Sequence, residues 1–169
     1  DVSGKGVPAS LFMAITRSLF RTLSQHVLSP AKIVTEMNNS ISDNNESNMF
    51  VTLIVGILDL ETGILKLCNA GHNPPILIYP DGQVSYLEFK TQIFVGVVED
   101  FKYSDEEVVL EKESKLFLYT DGVTEAENIN KELYGEEKLL EMLSDNASSD
   151  VRTTVNVVVD SIASHVKEA

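Results

Sequence analysis

Apolar residues recur at every fourth position near the start of this chain, at Leu11, Ile15, Leu19 and Leu23, and that spacing predicts a helix with one buried face. Pro8 stands in its first turn, where a missing N–H costs nothing. Ser29-Pro30 supplies an N-cap and first-turn pair, and Ile33, Met37 and Ile41 mark a second helix behind it. From Ser42 to Asn48 the chain is polar, rich in Asn and Asp, and predicts a loop.

The pattern changes at Phe50. The run MFVTLIVGILDL is apolar on both faces and rich in β-branched residues, which predicts a central strand covered on two sides. Glu61-Thr62-Gly63 reads as a turn, and Ile64 to Ala70 returns as the partner strand. Further strands are predicted at 76–79 and 84–89 around the turn Pro80-Asp81-Gly82, then at 107–110 and 115–120. Tight turns between neighbours imply antiparallel pairing. After Asp121 the periodicity turns helical again, over 135–143 and in a last segment where Val151, Val155, Val158, Val159, Ile162 and Val166 share one face. The order of helices, strands and helices, without a repeat or linker, predicts one α+β domain over residues 1–169, an antiparallel sheet flanked by helices.

Composition narrows the function. Thirteen basic against twenty-six acidic residues give a net charge of −13, which argues against nucleic acid, whose binding needs clustered Lys and Arg. Most of that acidity serves solubility. No run approaches the roughly 18 apolar residues of a membrane span, so no membrane contact by this domain is expected. The single cysteine, Cys68, excludes an internal disulfide and lies in an apolar run, as a small buried residue would. The combination fits the cytoplasm. The first residue is Asp1, not Met, which suggests a piece of a longer parent, and that parent is free to carry a membrane-bound sensor region elsewhere.

Three motifs carry candidate chemistry. In DVSGKGVPASLFMA, Asp1 precedes a glycine-bearing turn and a helix start, a place that suits a cation on the carboxylate and a phosphate near the amides. Gly4-Lys5 does not make a phosphate-binding P-loop, because Gly6 stands where Ser or Thr is required. In LFLYTDGVTEAEN, Asp121 falls at the end of an apolar strand, a rigid mount for a metal ligand, with Gly122 giving a sharp exit. Glu125 and Glu127 belong to a solvated turn. In NAGHNPP, His72 is a lone histidine between Gly71 and Asn73. It reads as a turn residue whose ring bonds to backbone, rather than as a zinc ligand or catalyst. Taken singly, each carboxylate reads more readily as an ordinary turn residue.

Taken together and in order, DVSGKGVPASLFMA, FVTLIVGILDLETGILKLCNAGHNPP and LFLYTDGVTEAEN resemble the successive signatures of the SpoIIE/RsbU-type phosphatases, within the PP2C-like (PPM) superfamily. Ser29-Pro30 and Tyr134-Gly135 fit the same resemblance, which covers essentially the whole chain. It implies an α-β-β-α sandwich of antiparallel sheets flanked by helices. It also implies two manganese or magnesium ions at one edge, whose activated water attacks phosphoserine or phosphothreonine. By motif, Asp1 corresponds to the carboxylate that bridges both ions, the Val2 carbonyl to a further ligand of one, and Asp121 to the carboxylate on the other. These two aspartates are the catalytic pair. Val2-Ser3 stands where eukaryotic relatives have a histidine assigned as general acid, so no general acid is assigned here. The implied substrate is a phosphorylated STAS-domain protein, an anti-sigma factor antagonist of a bacterial partner-switching pathway.

The family pattern also includes an upstream strand with a Gly-Gly-Asp type motif and a last strand opened by an Asp-Asp pair, and neither lies within residues 1–169. The sandwich is therefore expected to be incomplete at its N- and C-terminal strands, the metal site incomplete, and the fragment weakly active or inactive. Bared sheet edges would favour a homodimer. The competing reading is a non-catalytic interaction or regulatory domain on the same fold, which has little reason to keep both Asp1 and Asp121. An acidic ion-binding structural module is set aside, since no D-x-D-x-D-G run occurs.

Overall fold

The computed structural model describes residues 1–43, 45 and 48–167, arranged as two compact units. The first comprises 1–72 and 89–110, and the second 73–88 and 111–169. Each holds one sheet and its own hydrophobic cluster.

In the first unit, α1 (Gly6–Leu23) and α2 (Pro30–Ser42) precede β1 (Leu53–Leu58) and β2 (Ile64–Ala70), with β5 (Thr91–Gln92) and β6 (Glu106–Val109) completing the sheet. Ser29 caps α2 as its sequence predicts: its hydroxyl accepts the Lys32 N–H and donates to the Asp105 carboxylate at 2.8 Å. Val34 and Met37 are fully buried on that helix. Strand β2 is central, pairing antiparallel with β1 and β6, while the two-residue β5 joins it in parallel. Among the described residues β1 pairs with β2 alone and lies at the sheet edge, although Val51, earlier in the same run, bridges both Val2 and Val95; Val55 is buried, whereas Ile57 and Leu58 face solvent.

The buried face of α1 also differs from the fourfold pattern. Phe12, Thr16, Leu19 and Leu23 turn inward, while Leu11 and Ile15 are exposed. Thr16 occupies the inner face because its hydroxyl donates to the Phe12 carbonyl at 2.9 Å, so a polar residue is buried at no hydrogen-bond cost. Of the loop expected over 42–48, Ser42 ends α2, and Asn44, Glu46 and Ser47 lie outside the described residues. So does Ala169.

In the second unit, β3 (Ile76–Ile78) lies between β4 (Val84–Tyr86) and β7 (Lys115–Phe117), both antiparallel. Three helices follow: α3 (Asp121–Thr124), α4 (Glu136–Asp145) and α5 (Val151–Lys167). Ile76, Ile78, Leu139, Leu143 and Val158 form the core. The valines of α5 split between two faces: Val158 is buried, while Val151, Val155, Val159 and Val166 are exposed. The Lys115 ammonium ties β7 to the α4–α5 connection by donating to the Ala147 and Ser149 carbonyls. Among the described residues β7 has no strand on its other side, and no helix is long and apolar enough to cross a membrane.

Candidate active site

Asp1 and Val2 belong to a short strand-like segment of the first unit. Asp1 donates its amine to the Thr52 carbonyl at 2.7 Å and accepts the Thr52 N–H at 2.8 Å. Ser3 donates its N–H to the Phe50 carbonyl at 2.9 Å, and its hydroxyl accepts the Phe50 N–H at 2.8 Å. Val2 faces Val51 between these two bonded pairs. Antiparallel geometry then fixes three directions. Asp1 and Thr52, which exchange both bonds, put their side chains on one face. The Val2 side chain goes to the other, against the buried core, and the Val2 carbonyl points away from the partner segment. The chain leaves through Gly4 and Gly6, whose φ values of +84° and +77° favour glycine.

His72 sits in the turn that follows β2. Its ring bonds a side chain: Nδ1 lies 2.8 Å from Thr52 Oγ1. Asn69, 2% exposed, clamps the turn from beneath. Its Oδ1 accepts the His72 N–H at 2.8 Å, and its Nδ2 donates to the His72 carbonyl at 3.0 Å. Gly71 adopts φ +76°, with the Phe94 ring directly over the place a Cβ would take. Thr52 and Asn69 were not singled out by sequence. Asn69 lies inside the NAGHNPP motif, but the Thr52 contact spans twenty residues and depends on strand register.

Asp121 stands in the second unit. Strand β7 ends at Phe117, so Asp121 is not at the strand end but opens the single turn of α3, after the extended residue Thr120. Its carbonyl accepts the Glu125 N–H at 2.7 Å, which leaves the half-buried carboxylate to side-chain chemistry. Glu125 and Glu127 are exposed on the following hairpin-like loop, closed by the Glu127–Leu133 bridge. Among the described residues no group of three or more His, Cys, Asp and Glu is placed to hold a metal ion.

Cys68, Tyr86 and Tyr119 are all held toward their neutral forms. Burial pushes the Cys68 thiol up to about 12, so it stays a neutral, small core residue. Burial likewise raises the Tyr86 hydroxyl, with Tyr119 beside it adding to the shift, and raises Tyr119 itself.

The chain is similar to known proteins over its whole length. The family model described as stage II sporulation protein E (SpoIIE) matches residues 1–169. The phosphoserine phosphatase RsbU of Bacillus subtilis is 26% identical over 163 residues, covering 96% of this chain and 48% of RsbU. The SiaA-PP2C domain of Pseudomonas aeruginosa superposes with a TM-score of 0.82 at 22% identity, covering 99% of this chain and 68% of that one. RsbX, solved in complex with magnesium, matches at a TM-score of 0.65 and 16% identity, covering 98% of this chain and 70% of RsbX. The fold is PP2C-like. The chain spans less than half the length of the curated relatives it matches.

Proposed function

Because this chain belongs to the SpoIIE family of PP2C-type phosphatases, we propose that the protein carrying it hydrolyses phosphoserine or phosphothreonine on a regulatory protein. The observation that carries the reading is the retention of Asp1 and Asp121 in the family's motifs, with the Val2 carbonyl directed outward from its strand pair. In this reading the two units form parts of one phosphatase domain, as the continuous family match supports.

The donor set suits a divalent cation. Two carboxylates and one backbone carbonyl are hard oxygen ligands, the kind that Mn2+ and Mg2+ take. In the first unit Asp1 and Val2 would offer a carboxylate and a carbonyl oxygen to such a cation, and in the second unit Asp121 would offer a carboxylate. When bound, the ions lower the pKa of water and offset charge that builds on the phosphoryl oxygens. The chain's own contribution is to present these oxygens on backbone fixed by the Thr52 and Glu125 bonds. The substrate we propose is a phosphorylated STAS-domain antagonist in cytoplasmic sigma-factor control. RsbU, whose name records phosphoserine phosphatase activity, supports the phosphoserine in that choice.

The protein carrying this chain is expected to release phosphate from a phosphoserine-bearing STAS protein with Mn2+ present, and to stop when the metal is chelated. Tight binding of that phosphoprotein without phosphate release would favour a non-catalytic interaction domain instead. Residues 1–169 alone are expected to bind Mn2+ weakly and turn over little substrate. Two carboxylates offset poorly the dehydration of a small ion, and no larger acidic group is assembled among the described residues. Brisk hydrolysis by the 169-residue chain would refute that part.

We propose, too, that the chain pairs with a second copy along the open edge of β7. Leu118, Val151 and Val155 are exposed there, and an unpaired edge is a template for another strand. Light scattering across a concentration series should show the mass rising toward a dimer. A constant monomer mass would remove the idea.

A further inference from the structure

We propose that Thr52 and His72 act as positioning residues for the Asp1 carboxylate, holding it in the orientation that a divalent cation requires. The inference rests on the reading of Asp1 as a metal ligand. Three observations within the first unit carry it. Asp1 and Thr52 exchange both backbone bonds, at 2.7 and 2.8 Å, so their side chains are direct neighbours on one face. Thr52 Oγ1 lies 2.8 Å from His72 Nδ1, so the hydroxyl is itself oriented by the ring. The ring is in turn mounted on a turn that cannot drift, because buried Asn69 bonds both the N–H and the carbonyl of His72, and Phe94 closes over Gly71.

The chemistry is that of an outer ligand shell. A hydroxyl has one hydrogen and two lone pairs. When His72 Nδ1–H donates to Thr52 Oγ1, the hydroxyl keeps its own hydrogen free to donate to a neighbouring carboxylate. A carboxylate fixed this way loses less freedom on taking a cation, and loss of such outer partners weakens metal sites by about 10- to 100-fold.

The test is a Mn2+ titration of the isotope-labelled chain followed by paramagnetic broadening of backbone amides, which registers weak sites without any turnover. In the unaltered chain the amides of Val2, Ser3 and Thr52 should broaden first. Thr52→Val, which keeps shape but removes the hydroxyl, should need about tenfold more Mn2+ for the same broadening, and Thr52→Ser should restore the original midpoint. His72→Phe should shift the midpoint by the same factor, and the double variant no further, because the two residues act as one unit. Should Thr52→Val fail to fold, His72→Phe and Thr52→Ser decide the matter alone. An unshifted midpoint in folded Thr52→Val or His72→Phe overturns the positioning role while leaving Asp1 a ligand. Broadening that never centres on Val2 and Ser3 overturns the ligand reading itself, and this inference with it.

Discussion

Asp1→Asn and Asp121→Asn are each expected to reduce kcat/KM of the protein carrying this chain by at least about 100-fold, equivalent to about 2.7 kcal/mol of transition-state stabilisation. Asparagine keeps the shape of aspartate but removes the charge that offsets cation dehydration. Neither exchange should disturb folding. Asp1 is exposed and is held by its amine and carbonyl, and the Asp121 carbonyl alone accepts the Glu125 N–H. Melting temperatures should therefore stay close to that of the unsubstituted protein while the activity collapses. Activity within threefold of the original in either variant would remove that residue from the catalytic pair.

Gly71→Ala is expected to have the largest effect on stability, about 3 kcal/mol. The position needs φ +76°, which costs a residue with a Cβ about 1–2 kcal/mol. The added methyl would also lie 1.9 Å from Phe94 Cδ1, so the ring must move. Phe94 stacks on Phe50 with centroids 5.0 Å apart, and overpacking of this kind typically adds about 1–3 kcal/mol. Phe50 pairs with Ser3, so the disturbance reaches the segment that carries Asp1. Against a total of about 5–15 kcal/mol such a loss is large. The denaturant midpoint should fall at an unchanged slope; an unchanged midpoint would show that Phe94 yields freely.

Particular residues show what could be read from sequence alone. Strand β2 runs from Ile64 to Ala70 as predicted, because a Glu-Thr-Gly turn and Gly71 bound an apolar run on both sides. The N-cap at Ser29 was equally visible, since capping is local. Errors arose where burial depends on distant partners. Leu11 and Ile15 match the helical period as well as Phe12 and Leu19 do, and hydropathy gives no reason to put Thr16 inside. The run from Phe50 has central-strand composition, yet nothing local announces that β1 pairs with β2 alone among the described residues. The brief elements β5 and α3, of two and four residues, are too short to leave a period.

The site divides in the same way. Its motifs name Asp1, Val2 and Asp121, because motif order is a property of the chain. The mount of Asp121 on a helical turn rather than a strand end was hidden, because Asp-Gly serves either role. The Thr52–His72 contact was hidden too. It arises only once Thr52 has been placed against Asp1 on one side and the turn after β2 on the other.

Hydrogen bonds to Phe50 and Thr52 and the packing of Val2 hold the segment from Asp1 to Ser3. Local opening of that pairing would release the Asp1 carboxylate and the Val2 carbonyl from their fixed directions. A cation that needs both the Asp1 carboxylate and the Val2 carbonyl can bind only the docked form, so its apparent affinity scales with the fraction of molecules docked. By mass action the ion then acts as a staple, favouring the strand pairing that fixes its own ligands.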